Sequence, residues 1–548
     1  MDGKQRDARY ERWLARAAAA YDRMFCAENQ EGLVTLTERE DMAVALGKEM
    51  AAFLLEEHVA ADPAKAPAEA STACCPKCGQ PGTRAAQQAG KEGEGLPERT
   101  VTTRAGDIDI RRERWKCAKC RVVFFPLDVR LRLGTEGYSP SVLAKAVRQA
   151  SKASSFAEAS DDLRELADVE ISPTHLQRLS ERIGAEWVEV RDEEVEQFRQ
   201  SKLERGYKEP PHGAAAVMLD GGRLQTRGEE GGRGVREPIW RESKVACCLT
   251  LQTKAQGSDP DPEPPSKFLE PTEAARLASE VKRRSRPGSE RGGEDRREAT
   301  SSPRPPKHRR KRAGRRGGRR RRNRTLVRTV VATMENSERF GWQVAAEVHR
   351  RGLDRAKRKA CVCDGQAYNW SIYEMHLLPA GFIAILDFVH LLAYLYDAAH
   401  ALHGSDAEKG WKTYEQWLRW AWSGKVGALL AALRAAAAEL AKKGSVAAAR
   451  AQTVNEALTY VRNNRQRMDY PEYRRLGLPI SSAPVESTIK QINRRVKGTE
   501  KFWLEGGAEA ILQLRAAQLS QDDRWKRNWS RPRKHRRAVG CGRLAQTT

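Results

Sequence analysis

Three short apolar runs, each interrupted by an acidic residue, constrain this chain more than any other feature. Ala214-Ala-Ala-Val-Met-Leu-Asp220-Gly-Gly reads as a buried strand opening into a site at an acid and a glycine pair. Lys359-Ala-Cys-Val-Cys-Asp364-Gly is a second strand of the same kind. Phe382-Ile-Ala-Ile-Leu-Asp387-Phe-Val-His390 is a third, running into a helix over Leu391–Leu402. Lys244–Leu251 and Leu326–Met334 add β-branched strands, and Asn336 caps a helix to Arg351. Strands followed by alternating strands and helices predict a mixed α/β sheet.

A late helix completes the pattern. In Ser481-Ser-Ala-Pro-Val-Glu486-Ser-Thr-Ile-Lys490, Pro484 suits a first helical turn, and Ser481 or Ser482 can cap it. Ile489, Ile492 and Val496 mark one face. Lys490, Asn493/Arg494, Lys497 and Lys501 follow Glu486 on another, a basic ladder beside one carboxylate. A carboxylate there can bind a divalent metal, and the cations beside it can hold a phosphate backbone.

Upstream, Cys75-Pro-Lys-Cys78 and Cys117-Ala-Lys-Cys120 form two knuckles, each offering two thiolates from one tight turn, as tetrahedral zinc requires. Cys74 competes with Cys75 as a ligand, and the intervening 38 residues call for an inserted hairpin or loop. With only 11 cysteines in 548 residues, a disulfide scaffold is excluded and a reducing compartment expected. Between the knuckles and the first apolar run, Ser154–Leu166 and Thr174–Ile183 read as helices. The second is capped by Ser172 with Pro173 at its first position. That is a helix-turn-helix pattern, and it makes His175, Gln177 and Arg178 candidate base-reading residues.

Charge points the same way. The net charge of +25 favours a polyanionic partner, and no membrane-spanning or secretory segment is evident. Arg304–Arg324 holds 13 Lys and Arg and no acid, inside a Pro/Gly/Ser-rich stretch from about Gln252 to Asn323 that reads as disordered.

Asp220-Gly-Gly-Arg, Trp240-Arg-Glu-Ser-Lys, Cys363-Asp-Gly, Ile385-Leu-Asp-Phe-Val-His390, Pro484-Val-Glu-Ser, Lys501-Phe-Trp503 and Glu509-Ala-Ile-Leu-Gln-Leu-Arg-Ala, in that order, resemble bacterial insertion-sequence DDE transposases of the Kra type. The resemblance spans roughly Cys75 to Arg524, the arginine-rich stretch excepted. It implies a multidomain α+β chain with a ribonuclease-H-like mixed α/β core. Residues 1–60 would be an N-terminal helical region, 72–130 a zinc-ribbon-like module and 138–200 a helix-turn-helix-like DNA-binding region. The core would comprise 213–251, 325–400 and the Glu-bearing 471–520. Residues 252–324 would be a disordered insertion, 401–470 an all-helical insertion and 521–548 a basic tail.

By the same resemblance, Asp220, Asp364 and Glu486 would hold two Mg²⁺ (or Mn²⁺) ions for strand cleavage and strand transfer, with structural Zn²⁺ at the four knuckle cysteines. Asp387 stands where related transposases carry the cysteine of a Cys-x-x-His, so Asp387 competes with Asp364 as second acid, and His390 is a supporting residue. Asp364 is favoured because its strand ends directly at a glycine. Lys490, Arg494, Arg495 and Lys497 would meet DNA, while Trp503 reads as core. The expected partners are double-stranded DNA (element ends and target) and further copies of the chain, in the cytoplasm at the nucleoid. Two other functions compete: a magnesium nuclease of the same fold, and a transposase-derived DNA-binding protein without catalysis.

Overall fold

A computed structural model describes residues 3–68, 73–85, 96–207, 211, 213–228, 239–285, 324–498 and 501–530. The chain divides into two units, Met1–Leu179 with Trp525–Thr548, and Ser180–Arg524. It is a mixed α+β protein, and none of its described helices is long and apolar enough to cross a membrane.

The first unit opens with helices Gly3–Phe25 and Leu36–Ala60, the latter started by a capping box between Thr35 and Glu38. Strands β1 (Gly82–Arg84), β4 (Trp115–Cys117) and β5 (Val123–Phe124) form an antiparallel sheet in the order β1-β4-β5. The hairpin β2 (Glu98–Thr103) and β3 (Gly106–Arg111) fills the gap between the cysteine knuckles, as expected. Alternation along β3 turns Ile108 and Ile110 inward, where they join Val59, Val101, Leu127 and Leu133 in one cluster. Helices Pro140–Lys152 and Phe156–Ala167 follow.

The next helix starts at Pro173 under the Ser172 hydroxyl, which accepts from His175 N at 3.4 Å, but it runs to Arg199 rather than stopping near Ile183. Gly184 there is not a terminator. Its missing side chain lets the backbone of Ala510 approach so closely that a Cβ would lie 2.6 Å from the Ala510 carbonyl oxygen.

The second unit is built on β6 (Ala214–Thr226), β7 (Ile239–Gln252), β8 (Arg324–Thr333), β9 (Arg358–Cys363) and β10 (Ile383–Leu386). Their order is β10-β9-β6-β7-β8. β6, β7 and β8 form an antiparallel meander, while β9 and then β10 run parallel to β6. The central strands are apolar where they pair with one another, at Ala214–Leu219, Val245–Leu249 and Ala360–Cys363, as strands covered on both faces must be. β10 is an edge strand, and three phenols occupy carbonyls along or beside it: Tyr373 to Phe382, Tyr473 to Ala384 and Tyr470 to Leu386.

Two sequence expectations fail here. The run from Phe382 does not remain a strand to His390. Asp387 accepts from Val389 N at 2.6 Å and caps the helix Phe388–His403, so the strand stops at Leu386. The disordered insertion does not begin at Gln252 either. A 3-10 turn (Ser266–Phe268) and a helix (Pro271–Ser285) follow β7, burying Phe268, Ala274, Ala278 and Val281. Phe268 packs on Phe388 and Trp422, and Arg474 bonds Asp259. Pro and charge dominate that stretch, yet apolar residues at helical spacing suffice to dock it. The remainder, including Arg304–Asn323, lies outside the described residues.

Helices Ala407–Trp422, Val426–Lys442 and Ala448–Asn464 form the expected all-helical segment, followed by Ala483–Val496 and Glu505–Leu519. A buried ring of four charges closes the unit: Arg350 pairs with Glu347 (3.0 Å) and Asp522 (2.8 Å), and Arg524 pairs with Glu347 (2.6 Å) and Asp522 (2.8 Å).

Candidate functional site

Strand register creates the site. Parallel pairing sets Leu219 beside Cys363, and Cys363 beside Leu386. The next residue in each case is an acid, so Asp220, Asp364 and Asp387 stand in a row, about 4.8 Å from one strand to the next. Asp364 and Asp387 directly follow their strands, whereas β6 does not end at Asp220 as its sequence suggests but runs on to Thr226, paired with β7. Ligands of open α/β sheets bind at the carboxyl ends of the strands. The helix Ala483–Val496 lies across β6 and β7: Cys247 donates to Thr488 Oγ1 at 3.2 Å, and Ile489 and Asn493 approach Gly222. Its first turn carries Glu486 toward the row.

The three aspartates differ in what their oxygens have left to offer. Asp220 Oδ1 accepts from Gly221 N at 2.7 Å. Asp364 Oδ1 accepts from Gln366 N and Asn369 Nδ2, both at 3.1 Å. No described residue donates to the second oxygen of either. Asp387 is fully buried and both its oxygens are engaged. Val389 N donates to Oδ1. Ser482 N (2.9 Å) and Ser482 Oγ donate to Oδ2, and His390 Nδ1 stands 3.3 Å from it. Ser482 thus spends its hydroxyl on Asp387 instead of capping its own helix, where Ser481 Oγ accepts from Ala483 N.

Electrostatics follow this geometry. Burial first, then the charge of Asp364, pushes Asp220 up to about 7. Glu486 adds to the rise, while the Gly221 N–H and His390 oppose it. Burial also raises Asp364, against His390 and its two hydrogen bonds. Burial would raise Asp387 too, but His390 and Ser482 hold it below the usual range. Burial pulls His390 down, yet Asp387, Asp364 and Glu486 outweigh it and lift the imidazole to about 9, so it is a cation at neutral pH.

Ligand atoms of Asp387, His390 and Glu486 all come within 4.8 Å of one another. Both oxygens of Asp387 already accept hydrogen bonds and the surrounding acids favour the charged imidazole, so the trio is charge-balanced as it stands, and its ligand atoms also lie close enough together to hold a metal ion. Asp220 and Asp364 offer free hard oxygens side by side. That suits Mg²⁺, which takes one or two carboxylates and fills its shell with water and phosphate oxygens.

Sequence reasoning missed several residues here. Asn369 and Tyr368 follow Asp364 by about one helical turn, a spacing that could have flagged them. Burial, then the charges of Glu242, Asp364 and Asp220, hold the Tyr368 phenol well above its usual range. Tyr460 donates to the Asp364 carbonyl at 2.7 Å from 96 residues away, and no local pattern announces it.

In the first unit, Cys75, Cys78, Cys117 and Cys120 converge. Their sulfurs approach to 3.5 Å (Cys75–Cys120 and Cys78–Cys117) and 3.8 Å (Cys78–Cys120). Four thiolates about 2.3 Å from one zinc in a tetrahedron would stand about 3.8 Å apart, so the set fits Zn²⁺. Backbone N–H groups of Lys77 and Cys120 point at the sulfurs of Cys75 and Cys117. Cys74 is exposed and outside the cluster, which settles its competition with Cys75.

The proposed DNA contacts divide. Arg494 is exposed; Lys490 is exposed but pairs with Glu280 at 2.7 Å. Lys497 closes its helix with Nζ 5.8 Å from the Trp240 ring. Arg495 is 1 % exposed and packed 5.1 Å from the Trp503 ring, so it is a core residue and not a surface contact. Trp503 is buried and donates to Val496 O at 2.8 Å, as its core reading expects. Arg178 is exposed on its helix, Gln177 is half-buried, and His175 packs on Tyr138 with ring centres 5.7 Å apart. No family model matches the chain, and no curated protein matches it significantly.

Proposed function

We propose that the chain is a DDE-type DNA transposase whose second unit cuts and joins DNA strands with divalent metal. The observation that carries this reading is the pairing of Asp220 and Asp364 in register on adjacent parallel strands, each with one free oxygen, beside the Glu486 helix. A mixed sheet that carries Asp220 within its first strand and Asp364 directly after its fourth supports a ribonuclease-H-like core. The sulfur cluster supports a zinc-ribbon-like module, and the helices around Ser172 support a helix-turn-helix-like reader of the element ends.

Two Mg²⁺ or Mn²⁺ ions, when bound, would supply an activated nucleophile and stabilise the leaving 3′-oxygen of an in-line displacement. Asp220, Asp364 and Glu486 would hold them. Asp220 loses its proton in doing so, because its carboxyl titrates near neutrality. Asp387 then acts as the anchor of the site: it fixes the first turn of the Glu486 helix through Ser482 and keeps His390 charged among the acids. Arg494 and Lys490 lie on the flank that would follow the phosphate backbone.

The test is cleavage and joining of labelled DNA carrying the element's own ends, in Mg²⁺. Asp220→Ala, Asp364→Ala and Glu486→Ala should abolish both reactions while end binding persists. A wild-type chain that binds the ends and never cuts would leave the non-catalytic DNA-binding reading. One that cuts without joining would leave the nuclease.

A further inference from the structure

We infer that Tyr460 is a positioning residue, which holds the turn carrying Asp364 in the geometry that metal binding needs; this rests on the function proposed above. The turn after β9 is unusual in what grips it. Gly365 has φ +96°, a conformation open to glycine alone at little cost, and the Tyr460 ring fills the space where its side chain would be, 2.8 Å from the Cβ position. The phenol then donates to the carbonyl of Asp364 itself, at 2.7 Å. The Tyr460 ring is fixed in turn by Tyr394, stacked on it with centres 4.0 Å apart and planes 15° from parallel. Tyr394 lies one helical turn beyond His390, on the helix that Asp387 caps.

Thus Asp364 is clamped at both ends. Asn369 and the Gln366 N–H orient its carboxylate, while a helix of the all-α segment (Ala448–Asn464) fixes its main chain. That segment then does more than enlarge the protein: it sets the second acid beside the first. Rotation of the Asp364 turn would swing the free oxygen away from Asp220 without unfolding anything, because the β9 ladder stops at Cys363.

Tyr460→Phe keeps the ring, the stack and the filled space, and removes only the donor. The readout is Mn²⁺ binding to the full zinc-loaded chain, followed by electron paramagnetic resonance, with Asp364→Asn marking the site's share. Tyr460→Phe should weaken that share about three- to tenfold, the size of one neutral hydrogen bond. It should also raise the Mg²⁺ needed for half-maximal cleavage, with DNA affinity in Ca²⁺ and melting temperature unchanged. Wild-type Mn²⁺ affinity in Tyr460→Phe would overturn the inference, as would a loss matched by an equal fall in melting temperature. If wild type binds Mn²⁺ through Asp364 but cuts no DNA, the proposed function fails while the clamp is still read from metal affinity. Should Asp364→Asn leave Mn²⁺ binding untouched, the clamp has no metal site to serve and is overturned too.

Discussion

Replacing Asp220 by Asn should make the protein more stable at neutral and alkaline pH and, on the proposed function, abolish strand cleavage. Asp220 is pushed from its ordinary 3.8 to about 7, chiefly by burial and by the neighbouring Asp364. A carboxyl whose folded pKa is raised costs the folded state nothing below pH 4, where it is neutral whether folded or not. The cost grows as pH rises from about 4 to about 7 and is constant above. Roughly three pKa units at about 1.4 kcal/mol each give an upper figure of about 4 kcal/mol. Because the residue is only half-buried and the cationic His390 relaxes with it, about 2 kcal/mol is the expected gain at pH 8. Asn keeps the carbonyl oxygen that accepts from Gly221 N–H, so no hydrogen bond is sacrificed.

The assay is calorimetric unfolding of both full chains in magnesium-free buffer at pH 4.5, 6, 7 and 8. The advantage of Asp220→Asn should be smallest at pH 4.5, about 1 kcal/mol or less, and rise to its plateau by pH 8. Magnesium should then stabilise wild type and not the variant, by mass action on the folded state. An advantage of the same size at pH 4.5 and pH 8 would refute the reasoning, because it would show a packing effect rather than a charge removed. A variant less stable than wild type at pH 8 would refute it more directly, since Asp220 would then be a stabilising charge.

Metal binding should tighten as pH rises through about 7, as the Asp220 proton ceases to compete; titration calorimetry with Mn²⁺ at pH 6 and 8 checks it. Asp387→Ala should cost about 3 kcal/mol of stability, seen in urea unfolding, because it strands the buried Ser482 N–H and hydroxyl, the half-buried Val389 N–H and the charge on His390. Glu347→Gln should cost about 3 kcal/mol by breaking the buried four-charge ring. In wild type, Glu347 is held down to about 2 by Arg350 and Arg524 in spite of burial, so this contribution fades as pH falls from about 4.5 toward 2. Serine at Cys75, Cys78, Cys117 or Cys120 should lose one zinc per chain by atomic emission, whereas Cys74→Ser should retain it.

The strands were legible because their pattern is local: apolar runs in a sheet covered on both faces need no partner to be recognised, and each of β6 to β10 contains the core of its run. Their ends were less so: β6 runs past Asp220 to Thr226 because β7 pairs with it there, and β10 stops at Leu386 because Asp387 caps a helix. Pairing order was not legible, because it is set by contacts between β6 and β9 across more than a hundred residues. The helix Pro271–Ser285 was hidden by composition, its four-then-three spacing of Ala274, Ala278 and Val281 being weak beside the Pro and charge around it. Arg495 was misplaced for a related reason. A basic ladder read on a helical wheel cannot show that one of its neighbours turns under a tryptophan brought by the following loop.

The choice between Asp364 and Asp387 shows where sequence patterns stop and hydrogen-bond accounting begins. Both acids follow an apolar strand, both lie in the same row, and the closest cluster of ligand atoms contains Asp387 rather than Asp364. Proximity alone would therefore select Asp387. A carboxylate, however, binds metal through lone pairs that the protein has not already used, and Asp387 has both oxygens engaged, by Val389 and Ser482, whereas Asp220 and Asp364 each keep one oxygen to which no described residue donates. Its depressed pKa and the raised pKa of Asp220 express the same division: one acid is stabilised as an anion by the protein, and the other awaits a cation from outside. On the proposed function, the acid satisfied by its fold serves as an anchor, and the two left unsatisfied side by side serve as ligands. On that criterion Asp220 and Asp364 are the pair to mutate for chemistry, and Asp387 the one to mutate for stability.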